Sequence, residues 1–180
     1  MPNPKIIREK YCATAPGYDE LYREEQLEKY EAALSRVTPR GILADIGGGT
    51  CLFEEFLSHR GMIDRLSYIV VLDLTDCMLF LCRRRIRTLR LDHLVDLVVA
   101  EATRLPLREK CIDYSYAFTV FDLTESADRA VSEMVRVTRV KGVYTLLKKA
   151  ERRRLASACQ VYIGETDKDV ICLPRALKED

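Results

Sequence analysis

The sequence predicts an α/β fold: a doubly wound, mostly parallel seven-stranded sheet with helices on both faces and a C-terminal antiparallel hairpin strand. Three observations predict it. Short apolar runs alternate with amphipathic runs of helical period between residues 42 and 147, which implies βαβ units and parallel pairing. Gly47, Gly48 and Gly49 stand where the first apolar run ends and a helical run begins. The tail then closes on two short strands around a turn at Glu165 to Lys168.

Taken in order, residues 18–36, "YDELYREEQLEKYEAALSR", carry apolar residues at helical spacing and stop at "TPRG". Ile42, Leu43 and Ile46 mark a buried strand over 42–46, and Leu52, Phe53, Phe56 and Leu57 a helix over 50–59. Strand 68–73 leads to helix 76–88, and strand 95–100 to the loop "EATRLPLREK". Strand 112–118 precedes a helix near 126–138 and a strand at 142–147, and a short helix near 149–157 precedes the hairpin "QVYIGETDKDVICL". No repeat, low-complexity tract or linker interrupts this order. A chain of 180 residues with 48% apolar content fits one domain over 1–180, in which a helical segment at 1–40 covers a site on a core at 41–180.

Composition excludes several function classes. No apolar run approaches the roughly 20 residues of a membrane span, and "MPNPKIIREK" lacks the apolar block of a secretory signal, so a cytoplasmic location away from membranes is expected. Charged residues make up 32% of the chain against one Asn and two Gln, a bias of proteins from heat-loving organisms. A net charge of +1 gives no global attraction to nucleic acid. "CRRRIRTLR" (82–90) and "ERRRL" (151–155) are local basic clusters, read as solvated helix faces with RNA binding as the alternative. Seven cysteines without a C-x-x-C pair argue against a zinc knuckle and a full disulfide framework, which leaves them as small buried apolar residues. His59 and His93 have no partner at metal-ligand spacing, and no metal is expected.

Open α/β sheets bind ligands beyond the carboxyl ends of their strands. Asp45 and the glycines end the first strand, Asp73 the second, Glu101 follows the third, and Phe118 and Thr119 lie near the end of the fourth. Glycines at a strand-to-helix turn admit a ligand against bare backbone and aim free N–H groups at it, with a ligand-free tight turn as the alternative. An ionised acid at the end of the second strand suits two ribose hydroxyls, since it offers two acceptor oxygens. A dinucleotide fingerprint, G-x-G-x-x-G, fails because its third glycine position is Leu52. Adenosine bearing an amino-acid sulfonium remains, for which the turn needs close backbone approach and no phosphate cradle.

These residues resemble a known family. "DIGGGTC" resembles the D/E-x-G-x-G-x-G signature of class I (Rossmann-like) S-adenosylmethionine-dependent methyltransferases, "VLDLTDCML" their second motif and "AEATRLPL" their third. The resemblance spans about residues 11–173 and implies S-adenosyl-L-methionine as cofactor. By position, it implies that Asp45, Gly47 and Gly49, with Ile46 and Gly48 between them, hold the methionine part. It likewise implies that Asp73 holds the ribose, that Leu74 packs on the adenine, that Glu101 and the backbone of Ala102 meet its polar edge, and that Phe118 borders the site. The family's third glycine is Cys51 here, so a cofactor-binding but catalytically silent subunit stays open as the alternative.

Methyl transfer from a sulfonium is an in-line displacement, which asks mainly for alignment and exclusion of water. Asp122 and Glu125 in "FTVFDLTES" are candidates to take a proton from the acceptor, or else a helix N-terminal acid and a solvated loop charge. Tyr11, ahead of the first predicted helix, and Tyr18, at its start, wall the methyl group or serve packing. "AFTVF" replaces the Asn/Asp-Pro-Pro-aromatic motif of relatives that methylate exocyclic amines, which disfavours that class. The expected acceptor is a small molecule, or an RNA or protein translation component recognised with a partner. "YDELYREEQLEKY" is similar to the N-terminal helix of small archaeal members, some of whose relatives use a small zinc-binding activator. Such a partner, or a second copy, is expected at a sheet edge.

Overall fold

A computed structural model describes residues 3–149 and 158–177. Alternation along β1 (Gly41–Ile46) shows how the sheet divides the core. Leu43 points into one apolar cluster and Ala44 and Ile46 into the other, because successive side chains of a strand leave by opposite faces. On the first face pack α2 (Tyr18–Leu34), α3 (Leu52–His59) and α4 (Asp76–Thr88), through Tyr30, Phe53, Leu57, Leu79 and Ile86. On the second packs α5 (Ala127–Val137), through Ala130, Val131, Met134 and Val137 at helical spacing.

The remaining strands are β2 (Leu66–Asp73), β3 (Val95–Val99), β4 (Ile112–Ala117), β5 (Thr138–Leu147), β6 (Val161–Glu165) and β7 (Asp169–Leu173). They form a seven-stranded sheet in the order β3-β2-β1-β4-β5-β7-β6. β3 to β5 pair in parallel, and β7 runs antiparallel to both β5 and β6. The predicted hairpin is present, with β7 inserted beside β5 and β6 on the edge. Strand order reverses between β1 and β4, so their carboxyl ends open a crevice there.

Three expectations change. An unpredicted helix, α1 (Pro4–Thr14), precedes the others, with Pro4 in its first turn and the Asn3 side chain accepting from Lys5 N at 2.9 Å. None of its residues is fully buried, so the sequence carries no strong apolar stripe there. β5 begins at Thr138, four residues before the predicted start: "TRVK" is polar, but the buried Thr138 hydroxyl bonds Ser115 at 2.7 Å and carries the strand onto β4. Six cysteines pair as Cys12–Cys77, Cys51–Cys82 and Cys159–Cys172, leaving Cys111 free. The expectation of unpaired apolar cysteines is therefore wrong, since pairing depends on which elements meet and not on spacing. The predicted helix near 149–157 and the cluster at 151–155 fall mostly or wholly on residues 150–157, outside the described residues.

Candidate functional site

The turn after β1 is shaped by close contacts that no other residue type would permit. Gly47 (φ +77°) sits where a Cβ would lie 2.2 Å from Val120 Cγ2, and a Cβ at Gly48 would lie 2.5 Å from both Asp45 Oδ2 and Val71 Cγ1. Gly47 N donates to Leu72 O at 2.6 Å, which welds the turn to β2. Asp73 at the end of β2 accepts from Gly49 N at 2.9 Å and from Thr75 N at 2.7 Å. Burial raises its carboxyl above the ordinary range, and those two N–H groups pull it back. Cys51 stands in the left-handed region (φ 63°) before α3 and is bonded to Cys82 of α4.

These residues line one cleft of about 820 Å³, including its open mouth. Ile46, Gly47, Gly49, Asp73, Leu74, Glu101, Ala102 and Phe118 all border it, so the structure brings together most of the predicted cofactor residues. Asp45 and Gly48 border a smaller recess of about 310 Å³ behind the turn, shared with Tyr18, Gln26, Tyr30 and Phe118. Glu101 accepts from the Thr103 hydroxyl at 2.6 Å. From above, Pro4, Ile7 and Tyr11 of α1 and Tyr18 of α2 close over the cleft. Tyr11 belongs to a helix instead of preceding one; its phenol is pushed up to about 12 by burial, and that of Tyr18 rises by the same cause. Both are neutral walls, with ring centroids 6.2 Å apart.

The two acidic candidates separate. Glu125 borders the mouth of the cleft and is exposed. Asp122 does not line it: its carboxylate accepts from Leu147 N at 2.8 Å and is raised by burial. Among the described residues one set of potential metal ligands converges, Cys12, Asp76 and Cys77, and a disulfide joins its two sulfurs.

Sequence reasoning missed three site residues. Arg85, inside the cluster read as solvated, is half-buried; it donates to Thr50 O, to the Thr50 hydroxyl at 3.1 Å and to Asp19, tying α2 to the glycine turn. Its neighbours Arg83, Arg84 and Arg87 are exposed, as read. Lys29, fully buried, donates to Glu25 and to Thr119 Oγ1, each at 2.7 Å, and lies 3.1 Å from Asp169. Thr119, to which the sequence pointed, lies just after β4 in the left-handed region (φ 57°) and in turn donates to Asp169 at 3.0 Å. Glu54 on the first turn of α3 is the third, 0% exposed. A charged residue inside an apolar periodicity was the one available signal for Lys29 and Glu54.

Residues 44–146 match the family model described as a methyltransferase domain. The chain is 28% identical over 137 residues to an uncharacterised chloroplastic methyltransferase of Arabidopsis thaliana, covering 72% of this chain and 35% of that protein. It is 27% identical over 187 residues to a malonyl-[acyl-carrier protein] O-methyltransferase of Methylococcus capsulatus, covering 99% of this chain and 65% of that protein. The chain therefore spans less than two thirds of the length of either. Among solved structures, a SAM-dependent methyltransferase from Aquifex aeolicus superposes with TM-score 0.69 at 17% identity, covering 90% of this chain and 96% of that one. A Haloferax volcanii methyltransferase complex with the activator Trm112 gives TM-score 0.63 at 18% identity, covering 76% and 58%. At such identities the structural likeness shows the fold alone, whereas the family model covers more than half of the sequence: the chain belongs to the methyltransferase-domain family, on the Rossmann-like fold of S-adenosylmethionine-dependent methyltransferases.

Proposed function

We propose that this chain transfers a methyl group from S-adenosylmethionine to a small acceptor held under α1. The observation that carries this reading is the convergence of the glycine turn, Asp73, Leu74, Glu101 and Ala102 on one roofed cleft. The bound cofactor supplies a sulfonium methyl group open to in-line displacement. Asp73 receives the ribose hydroxyls, and the same carboxylate already braces Gly49 and Thr75. Leu74 offers an apolar face to the adenine, and Glu101 and the Ala102 backbone meet its polar edge. Asp45, Ile46, Gly47, Gly48 and Gly49 receive the methionine end, and Phe118 borders both recesses.

At the acceptor end, Ile7, Tyr11, Leu105, Val120 and Leu123 make a mostly apolar wall with Glu125 at its rim. Neutral tyrosines exclude water without offering a base, which leaves Glu125 as the group placed to take a proton from the acceptor. The segment 1–40 then works as a cover on a core at 41–180. Few amides and 32% charged residues support a protein of a heat-loving organism, and its three disulfides fit a cytoplasmic location in that setting, where intracellular disulfides persist.

A second reading, an acceptor recognised with a partner protein, is favoured by the edge strand β6, where Tyr162 is 58% exposed. The neighbour whose structure is a complex with Trm112 gives it a precedent.

Calorimetry tests the cofactor site. S-adenosylmethionine or its demethylated product is expected to bind, and Asp73→Ala to weaken binding by about 1–3 kcal/mol by leaving buried hydroxyls unpaired. Absence of heat with either ligand, while NAD binds, overturns the reading.

A further inference from the structure

The polar groups that cofactor contacts leave unexplained gather beneath the glycine turn. Glu54 rises from the first turn of α3 with its carboxyl sealed from solvent, and neither oxygen meets a hydrogen-bond donor among the described residues. The Asp45 carboxyl at the end of β1, 2% exposed, is the acidic group that acts on it most strongly. Two ionised carboxylates offer each other only acceptors, so the contact becomes a hydrogen bond only when one of them carries a proton. The other groups around the pair are Arg85 of α4, Tyr30 and Tyr18 of α2 and Asp73 of β2. Arg85 draws Glu54 down through its charge, but it is shared with Asp19, Thr50 and Glu55 and does not offset the burial.

We propose that Asp45 and Glu54 hold one proton between them while the cofactor site is empty, and release it to solvent when the ammonium group of the cofactor's methionine end docks beside Asp45. Glu54 is thus a positioning residue that acts through Asp45. The inference rests on the proposed cofactor site, because it needs the methionine end in the recess that Asp45 lines with the glycine turn. Charge balances: one proton leaves a carboxylic acid for the buffer, and the ligand's ammonium group replaces it against two carboxylates. Burial raises both carboxyls, Glu54 to about 7, in keeping with a proton retained near neutrality. The pair titrates as a unit.

Proton counting tests this. The whole protein is titrated with S-adenosylhomocysteine, which keeps the ammonium and lacks the sulfonium charge, in buffers of different ionisation enthalpy. Release of about one proton near pH 6, with affinity rising up to about tenfold per pH unit and levelling off above about pH 8, is expected. Adenosine, which lacks the methionine part, is expected to release none. Glu54→Gln keeps a donor for Asp45 without a titrating proton, and binding should lose both the release and the pH slope. The count on the unaltered protein needs no variant, so poor folding of Glu54→Gln leaves the test decisive. Binding without proton release, or an unchanged slope in Glu54→Gln, overturns the shared proton while the cofactor reading stands. No binding at any pH overturns the cofactor reading itself.

Discussion

At the residue scale, Gly47 and Cys51 show how differently two positions of one turn are specified. The left-handed backbone and the 2.2 Å approach to Val120 demand glycine at 47, and the triplet announces that demand in the sequence. Cys51 adopts the left-handed region although it is not glycine, and its bond to Cys82 spans a separation of 31 residues that no local pattern reveals. Cys51→Gly suits the backbone and removes the bond. Cofactor affinity is expected to stay within about twofold, since φ near +60° is open to glycine, while unfolding stability falls by about 3 kcal/mol through the larger unfolded ensemble. Calorimetry and urea denaturation measure the two effects separately; a large loss of affinity would mean that the disulfide itself shapes the turn.

At the element scale, α1 is held over the cleft by little of its own. It buries no residue fully, and the Arg8–Asp76 pair at 2.9 Å is more than half exposed on both sides and contributes little. The Cys12–Cys77 bond fastens its C-terminal half to the start of α4, next to Met78 and Thr75 of the cleft wall. Cys51 and Cys82 are fully buried, whereas Cys12 and Cys77 are not, so a dithiol reaches the outer bond first. Mild reduction, or Cys12→Ser, is expected to expose residues 4–14 to protease and to speed cofactor dissociation severalfold. Fragment masses and stopped-flow release check this, and unchanged values for both would show that packing alone holds α1. The sequence pointed to a covering segment but not to its helix: a strap across an open cleft buries too little for an apolar stripe.

At the scale of the whole molecule, the Lys29 cluster joins parts of the chain that are far apart in sequence. From α2 it reaches Thr119 after β4 and Asp169 of β7, and Thr119 N donates to Thr145 of β5 at 2.8 Å. Lys29→Met would strand the buried Asp169 carboxylate, and a loss of about 3–5 kcal/mol is expected in urea denaturation. Lys29→Met combined with Asp169→Asn should recover part of that loss, because the uncompensated charge is gone. If the double variant is no more stable than the single, the cluster acts by packing and not by charge.

The amino-acid order alone determined the strand and helix alternation, the glycine turn, and the acids at the ends of β1 and β2 and just after β3. Each is written in local periodicity or at a fixed offset from a strand end, where the backbone itself carries the information. The start of β5 at Thr138 was not legible in this way, since polar "TRVK" hides a strand whose hydroxyl is satisfied on a neighbour. Folding decided which distant groups meet: Asp45 with Glu54, Lys29 with Asp169, Arg85 with Asp19 and Thr50, and the three cysteine pairs. Their energies depend on distance and on exclusion of water, and both arise only once helices pack on the sheet.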